Sequence, residues 1–204
     1  MRRTWNIAAL ITLTALALAG CGGSDSGTGQ HHSTPSATTP TASVAAHNAA
    51  DVKFATDMIP HHQQAIEMAE LANGKATAAA VKELAAAIKA AQDPEIRQLS
   101  GWLTAWGEPV PTPGGHDGHD MSGSMPGMMT AQEMADLGKA SGAAFDRMWL
   151  QLMIKHHRGA VVMAKTEQTS GQDAAAIALA KKIEADQNRE IAAMQRLLSG
   201  TASS

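Results

Sequence analysis

Two short segments of this 204-residue chain carry the side chains with the most chemistry. Each holds a His-His pair between two methionines: Met58, His61, His62 and Met68 in the first, and Met153, His156, His157 and Met163 in the second. A neutral imidazole offers a nitrogen lone pair and a thioether offers a soft sulfur. Together they suit copper, with Cu(I) favoured by the sulfur. The same residues also have a plainer use, because Met fills irregular gaps in cores and a buried His can act as a hydrogen-bonded latch. On a helix turning about 100° per residue, Met58 and His62 lie about 40° apart, and His61 flanks the same apolar stripe on its other side. Both imidazoles should therefore face inward. Glu95 and Glu190 fall on the inner face of the helix that follows each segment. They are the expected partners of the imidazoles, since a buried carboxylate without a partner is very costly. On the residues alone, metal ligation and a His-Glu latch both stay open.

A third cluster lies between the two. Gly114 to Met129 reads GGHDGHDMSGSMPGMM, with His116, His119, Met121, Met125, Met128 and Met129 in sixteen residues. Met in a Gly/Pro/Ser loop has no core to fill, so this segment is expected to expose its side chains for copper capture. His116 and His119, with Asp117 and Asp120, would serve Cu(II), and the Met residues would serve Cu(I). Zinc or nickel could use the His residues but would gain little from the Met.

The elements that must position these groups are duplicated. Sliding the sequence along itself by 95 residues aligns 51–103 with 146–198 without a gap, and 18 of the 53 pairs are identical. They include both His-His pairs, Met58/Met153, Met68/Met163, Gln92/Gln187 and Glu95/Glu190. Each repeat reads as a helical hairpin, with Asn73-Gly74 and Ser170-Gly171 marking the turns. The expected helices run over 48–72, 77–106, 142–168 and 173–198. Two such hairpins with matching apolar faces close most simply as an all-α four-helix bundle. Thr130 with Glu133 forms a capping-box pattern, which predicts a short helix ahead of the second repeat. Pro60 and Pro94 fall inside helical patterns, and their partners Lys155 and Arg189 show that helix is tolerated there.

The N-terminus reads as a leader. Arg2 and Arg3 precede Ile7 to Leu18, a largely apolar stretch of twelve, and Leu18-Ala19-Gly20-Cys21 closes it. That is a basic start, an apolar stretch shorter than the roughly 20 residues of a membrane span, and a small-residue cleavage site. Leu-Ala-Gly-Cys resembles a bacterial lipobox, in which the Cys becomes the lipidated first residue. An ordinary signal peptide with an unrelated Cys is the alternative. The expected organisation is a lipoprotein signal peptide over 1–20, then a lipidated Cys21 and disordered tether over 21–45, and the bundle over 46–200, with its Met/His-rich loop at 109–130. The tether is Gly, Ser, Thr, Pro and Ala with few large apolar residues, so it cannot bury enough surface to fold. Its His31-His32 pair reads as incidental. The chain is therefore expected outside the cytoplasm, anchored to the membrane by lipid.

Composition narrows the function classes. Hydrophobic residues are 44% of the chain but aromatics only 3%, so Ala, Leu, Ile and Met must build a close-packed helical core. The net charge of −3 becomes −5 once Arg2 and Arg3 leave, at 14 basic against 19 acidic residues. No basic stripe remains for nucleic acid. The single Cys excludes a disulfide framework and a Cys-rich zinc site. No small-molecule substrate and no nucleophilic Gly-x-Ser-x-Gly motif is evident.

FATDMIPHHQQAIEMA and FDRMWLQLMIKHHRGAVVMA, each followed by an AxQxxEI segment, resemble the bacterial domain-of-unknown-function family numbered 305 over roughly 46–198. The resemblance implies a ferritin-like four-helix bundle. Members of the CopM type are periplasmic copper-binding proteins linked to copper tolerance, so it also implies copper handling at the eight Met and His positions of the two repeats. The chain departs from the motif at Lys155, where Pro is preferred, and at Leu152, which stands opposite Asp57. The two half-sites are therefore expected to be unequal. The leading expectation is a copper sequestration or transfer protein that meets other copper-handling proteins. A structural or interaction bundle is the alternative. A ferritin-like di-metal oxidase needs Glu-x-x-His on two helices, and no Glu-x-x-His occurs in the chain.

Overall fold

The computed structural model describes residues 46–112 and 125–201. Within them five helices follow one another: α1 Ala49–Lys75, α2 Ala79–Trp106, α3 Ala131–Lys139, α4 Gly142–Ser170 and α5 Ala174–Thr201. No strand occurs among the described residues. α1 packs on α2 and α4 on α5, and the two hairpins meet along α1 and α4. This is the all-α bundle of duplicated hairpins expected from the repeat. Among the described residues no helix is long and apolar enough to cross a membrane.

Local chemistry explains where the helices start. Asn48 accepts from the Ala50 and Asp51 amides while Asp51 accepts from the Asn48 amide at 2.6 Å, a reciprocal cap. Thr130 and Glu133 form the same device at α3. α2 ends at Gly107, whose φ of 78° is the left-handed conformation that glycine adopts without a Cβ penalty. α1 and α2 continue through Pro60 and Pro94. The turn after α1 differs from expectation. Helix persists through Asn73 and Gly74 to Lys75, because the chain is first held at Thr77 and Ala78.

What holds it there is Asp146 of α4, which accepts from Thr77 N, Thr77 Oγ1 and Ala78 N at 2.6–3.3 Å. Its repeat partner Asp51 on α1 does the same at the other hairpin, accepting from Gln172 N and Asp173 N at 2.9–3.1 Å. Each hairpin thus supplies the carboxylate that caps the turn of the other. α2 has no capping side chain of its own. Asp146 instead holds the two residues that lead into it, through the Thr77 and Ala78 amides.

The core divides into two apolar clusters. One contains Ala65, Met68, Phe145, Trp149, Leu150, Met153 and Met194. The other contains Phe54, Met58, Ile59, Leu99, Leu103, Ala160 and Ile183, with Met163 packed against it. Between them, in sequence and in space, lies a tier of polar side chains carrying the four imidazoles. Trp149 stitches α4 to α1 by donating to the Met68 carbonyl at 2.8 Å.

Glu167 is 1% exposed and neither carboxyl oxygen receives a hydrogen bond from a fixed donor. Burial, followed by the neighbouring Asp51 and then Asp173, pushes its pKa up to about 8. The hydrogen bond open to it is a proton shared with Asp51. The folded state thus holds a proton that an unfolded chain releases above the ordinary value of 4.5, and stability falls as pH rises from there towards about 8. Glu167→Gln should flatten that slope in urea unfolding followed across this pH range. An unchanged slope would place the titration elsewhere. Asp146→Ala should lower the unfolding free energy by about 2 kcal/mol, the cost of orphaning the Thr77 and Ala78 amides that it accepts from. Far-UV circular dichroism should show the helix content retained.

Candidate metal centre

α1 and α4 cross where their His-His pairs fall. His61, His62, His156 and His157 are all fully buried. The rings of His61 and His156 lie 3.8 Å apart between centroids, tilted by 38°. The 3.6-residue period that puts Met58 and Met153 on the apolar stripe carries the His residues inward with them, as the sequence predicts.

Three of the four have a partner at Nε2. His62 Nε2 donates to Glu95 Oε2 at 2.9 Å and His157 Nε2 to Glu190 Oε2 at 2.7 Å. His61 Nε2 donates to the Pro126 carbonyl at 3.1 Å. Glu95 also holds Lys182 Nζ of α5 at 2.8 Å. Burial works to raise the Glu95 pKa, but the bonds from His62 and Lys182 more than offset it and keep the carboxylate below its usual range. Among the described residues no cation pairs with Glu190.

The remaining ring nitrogens have none. Nδ1 of His61, His62 and His157, and both ring nitrogens of His156, are buried without a hydrogen-bond partner. The His61 main chain approaches His156 without reaching hydrogen-bond geometry. Burial, reinforced by the neighbouring imidazoles, pushes the His61 pKa down to about 3 against the opposing Pro126 bond, and pushes His156 well down. Both rings are therefore neutral at physiological pH, the state that ligates metal. An imidazole whose one N–H is given to a carboxylate or carbonyl, leaving the other nitrogen bare, is prepared for a metal. The duplicated Gln92 and Gln187 are buried in the same tier, Gln92 with neither amide atom bonded and Gln187 with its oxygen free.

Among the described residues, no group of three or more His, Cys, Asp or Glu is arranged to hold a metal ion. Met58, Met68 and Met153 are fully buried beside the tier, and Met163 is half-buried. Met58 shares a cluster with Met163, and Met68 shares one with Met153, so each side of the tier has a thioether from each repeat.

The interrepeat methionines also need correction. Met125, Met128 and Met129 are buried, not exposed. Met129 joins the first apolar cluster. Met125 lines a cavity of about 360 Å³ with Phe54, Asp57, Pro126 and Met163. The groove between α1 and α4 supplies the packing that a Gly/Pro/Ser composition conceals. His116, His119, Met121 and Cys21 lie outside the described residues. The sequence reading missed Lys182, Gln64 and the Pro126 carbonyl. The duplication of Gln92 and Gln187 was visible without indicating their place in the tier.

The chain matches the family described as Domain of unknown function (DUF305) over residues 51–198. No curated protein matches it in sequence. It is similar to a candidate secreted DUF305 protein from Streptomyces coelicolor, at 35% identity and a TM-score of 0.66, covering 74% of this chain and 93% of that one. It is also similar to CopM in a Cu(II)-bound form, at 35% identity and a TM-score of 0.63, and in a Cu(I)-bound form, at 32% and 0.61. Each comparison covers 74% of this chain and 96% of CopM.

The two glutamates should respond unequally to truncation. Glu95→Ala orphans the buried His62 N–H and releases Lys182, and should cost about 1–3 kcal/mol in thermal unfolding. Glu190→Ala, with a half-exposed carboxylate and no lysine, should cost less. Equal losses would contradict the asymmetry.

Proposed function

We propose that this chain, which belongs to the DUF305 family, is a copper-binding protein that takes the ion as cargo into its imidazole-thioether tier. It would work outside the cytoplasm, held at the membrane by lipid on Cys21, and would sequester copper or pass it to other copper-handling proteins. The observation that carries this reading is the set of five buried, unpartnered imidazole nitrogens in a tier flanked on both sides by thioethers of both repeats. A buried polar atom without a partner costs about 1–3 kcal/mol, and a bound ion recovers that cost. Soft sulfur beside nitrogen favours Cu(I) over zinc. The similarity to CopM in copper-bound forms supports the same ion. The lipobox-like segment and the similarity to a candidate secreted protein support the location.

Binding fits this tier better than catalysis. The inward carboxylates Glu95 and Glu190 each answer a histidine, which leaves little for the carboxylate-rich centre that oxygen activation needs. Read as a latch alone, the tier accounts for His62 and His157 through their glutamates. It leaves His156, bonded at neither nitrogen, without a reason to be polar.

Anaerobic titration of the chain without its leader should retain Cu(I) that excess Zn(II) does not displace. The double variant His61→Ala with His156→Ala should bind less copper at unchanged helix content. If it instead loses stability while copper uptake stays whole, the latch reading holds and the copper reading falls. Deleting residues 114–124, which spares the buried Met125–Met129 segment, should leave interior copper in place.

A further inference from the structure

Residues 125–129 cross the tier along the α1/α4 groove. At one end, Met125 lines the cavity beside Phe54 and Met163. At the other, Met129 enters the opposite apolar cluster. Gln64 of α1 grips this end with both amide atoms: its Nε2 donates to the Met129 carbonyl at 2.9 Å, and its Oε1 accepts from the Met129 amide at 2.6 Å. In the middle, Gly127 turns with φ 81° against α4, where a Cβ would lie 2.8 Å from Gly159 Cα and from the His156 and Lys155 carbonyls. A Cβ on Gly159 would overlap the Pro126 carbonyl.

Gln64 and Gly159 are the same position of the two repeats, 95 residues apart. One repeat places there the side chain that grips the crossing segment, and the other the residue that makes room for it. The carbonyl seated by this arrangement is the one that accepts from His61 Nε2. A carbonyl can only accept, so Nε2 carries the proton and a neutral His61 presents a bare Nδ1. The equivalent His156 has no acceptor on either nitrogen.

We propose that Met125–Met129 is a positioning strap, clamped by Gln64 and seated on Gly159, that fixes the His61 tautomer and so makes the two half-sites chemically unequal. His61 is set in advance to ligate through Nδ1, whereas His156 is free to use either nitrogen. Gln64, Gly127 and Gly159 are positioning residues that act through the Pro126 carbonyl. The inference rests on the copper reading for its purpose, but not for its test.

The test is the tautomer of each histidine in the copper-free full chain, read from long-range proton–nitrogen correlations on ¹⁵N-histidine-labelled protein. The expected result is a single Nε2–H form for His61. Two variants should each give a mixed His61 signal: Gln64→Met, which keeps length but removes the clamp, and Gly159→Ala, which displaces the strap. Gln63→Met, one position away, should change nothing. Cu(I) affinity should fall about tenfold in the first two variants, the usual scale for losing a partner that orients a ligand. A wild-type His61 protonated on Nδ1 would overturn the proposal, as would an unchanged His61 signal in both strap variants. Failure of the wild type to retain copper would overturn the copper reading alone, and the His61 signal would still decide this one.

Discussion

The constraint on which this bundle depends is the burial of a polar tier between two apolar clusters. Four imidazoles and two glutamines are enclosed there, with Glu95 buried and Glu190 half-buried at its edge. Such groups are tolerated only when hydrogen-bonded or bound. Two requirements follow from this. The second helix of each hairpin must bring a carboxylate to the level of the first helix's histidine, which fixes the register of α1 on α2 and of α4 on α5. The hairpins must also cross at the His-His pairs, which fixes α1 against α4. A shift of one turn would bury His62 without Glu95 and set an apolar side chain against the carboxylate.

The duplication supplies this geometry twice, and the departures from it are informative. Asp51 and Asp146 keep their symmetric task of capping each other's hairpin. Where the repeats differ, the second acquires functions the first lacks. Lys182, opposite Ala87, locks Glu95. Glu167, opposite Ala72, adds a buried carboxyl beside Asp51. Gly159, opposite Gln64, opens the groove to residues 125–129. All three bear on one repeat's half of a shared structure, so the twin motifs end up in unequal surroundings.

Much of this was legible in the sequence. Helical periodicity fixed the inward direction of the His pairs, and the offset of 95 residues paired them with Glu95 and Glu190. The partnership of Met58 with Met163, and of Met68 with Met153, was not legible. It arises from the crossing of two antiparallel helices, whereas a single helix projection sees only neighbours along one helix. The burial of Met125, Met128 and Met129 was hidden for a related reason. Their flanking Gly, Ser and Pro mark irregular backbone, and irregular backbone usually lies at the surface. This stretch is instead a strap whose main chain is satisfied by side chains from α1. Lys182 escaped notice because its role depends on α5 lying near α2, which no local pattern encodes.

On the copper reading, the charge of the tier bears on which oxidation state it holds best. Transferring an ion from water into a low-dielectric interior costs an amount that grows with the square of its charge. Around this tier His61 and His156 are held neutral, and the Glu95 carboxylate is already answered by Lys182. Among the described residues, Glu190 is the acidic group at the tier with no lysine beside it. A monovalent ion therefore costs less to bury in this tier than a divalent one. The thioethers favour the same oxidation state through their softness. On that reading the desolvation cost and the donor chemistry both favour Cu(I) for the interior, and Glu190 lies on the half whose histidine, His156, no strap restrains.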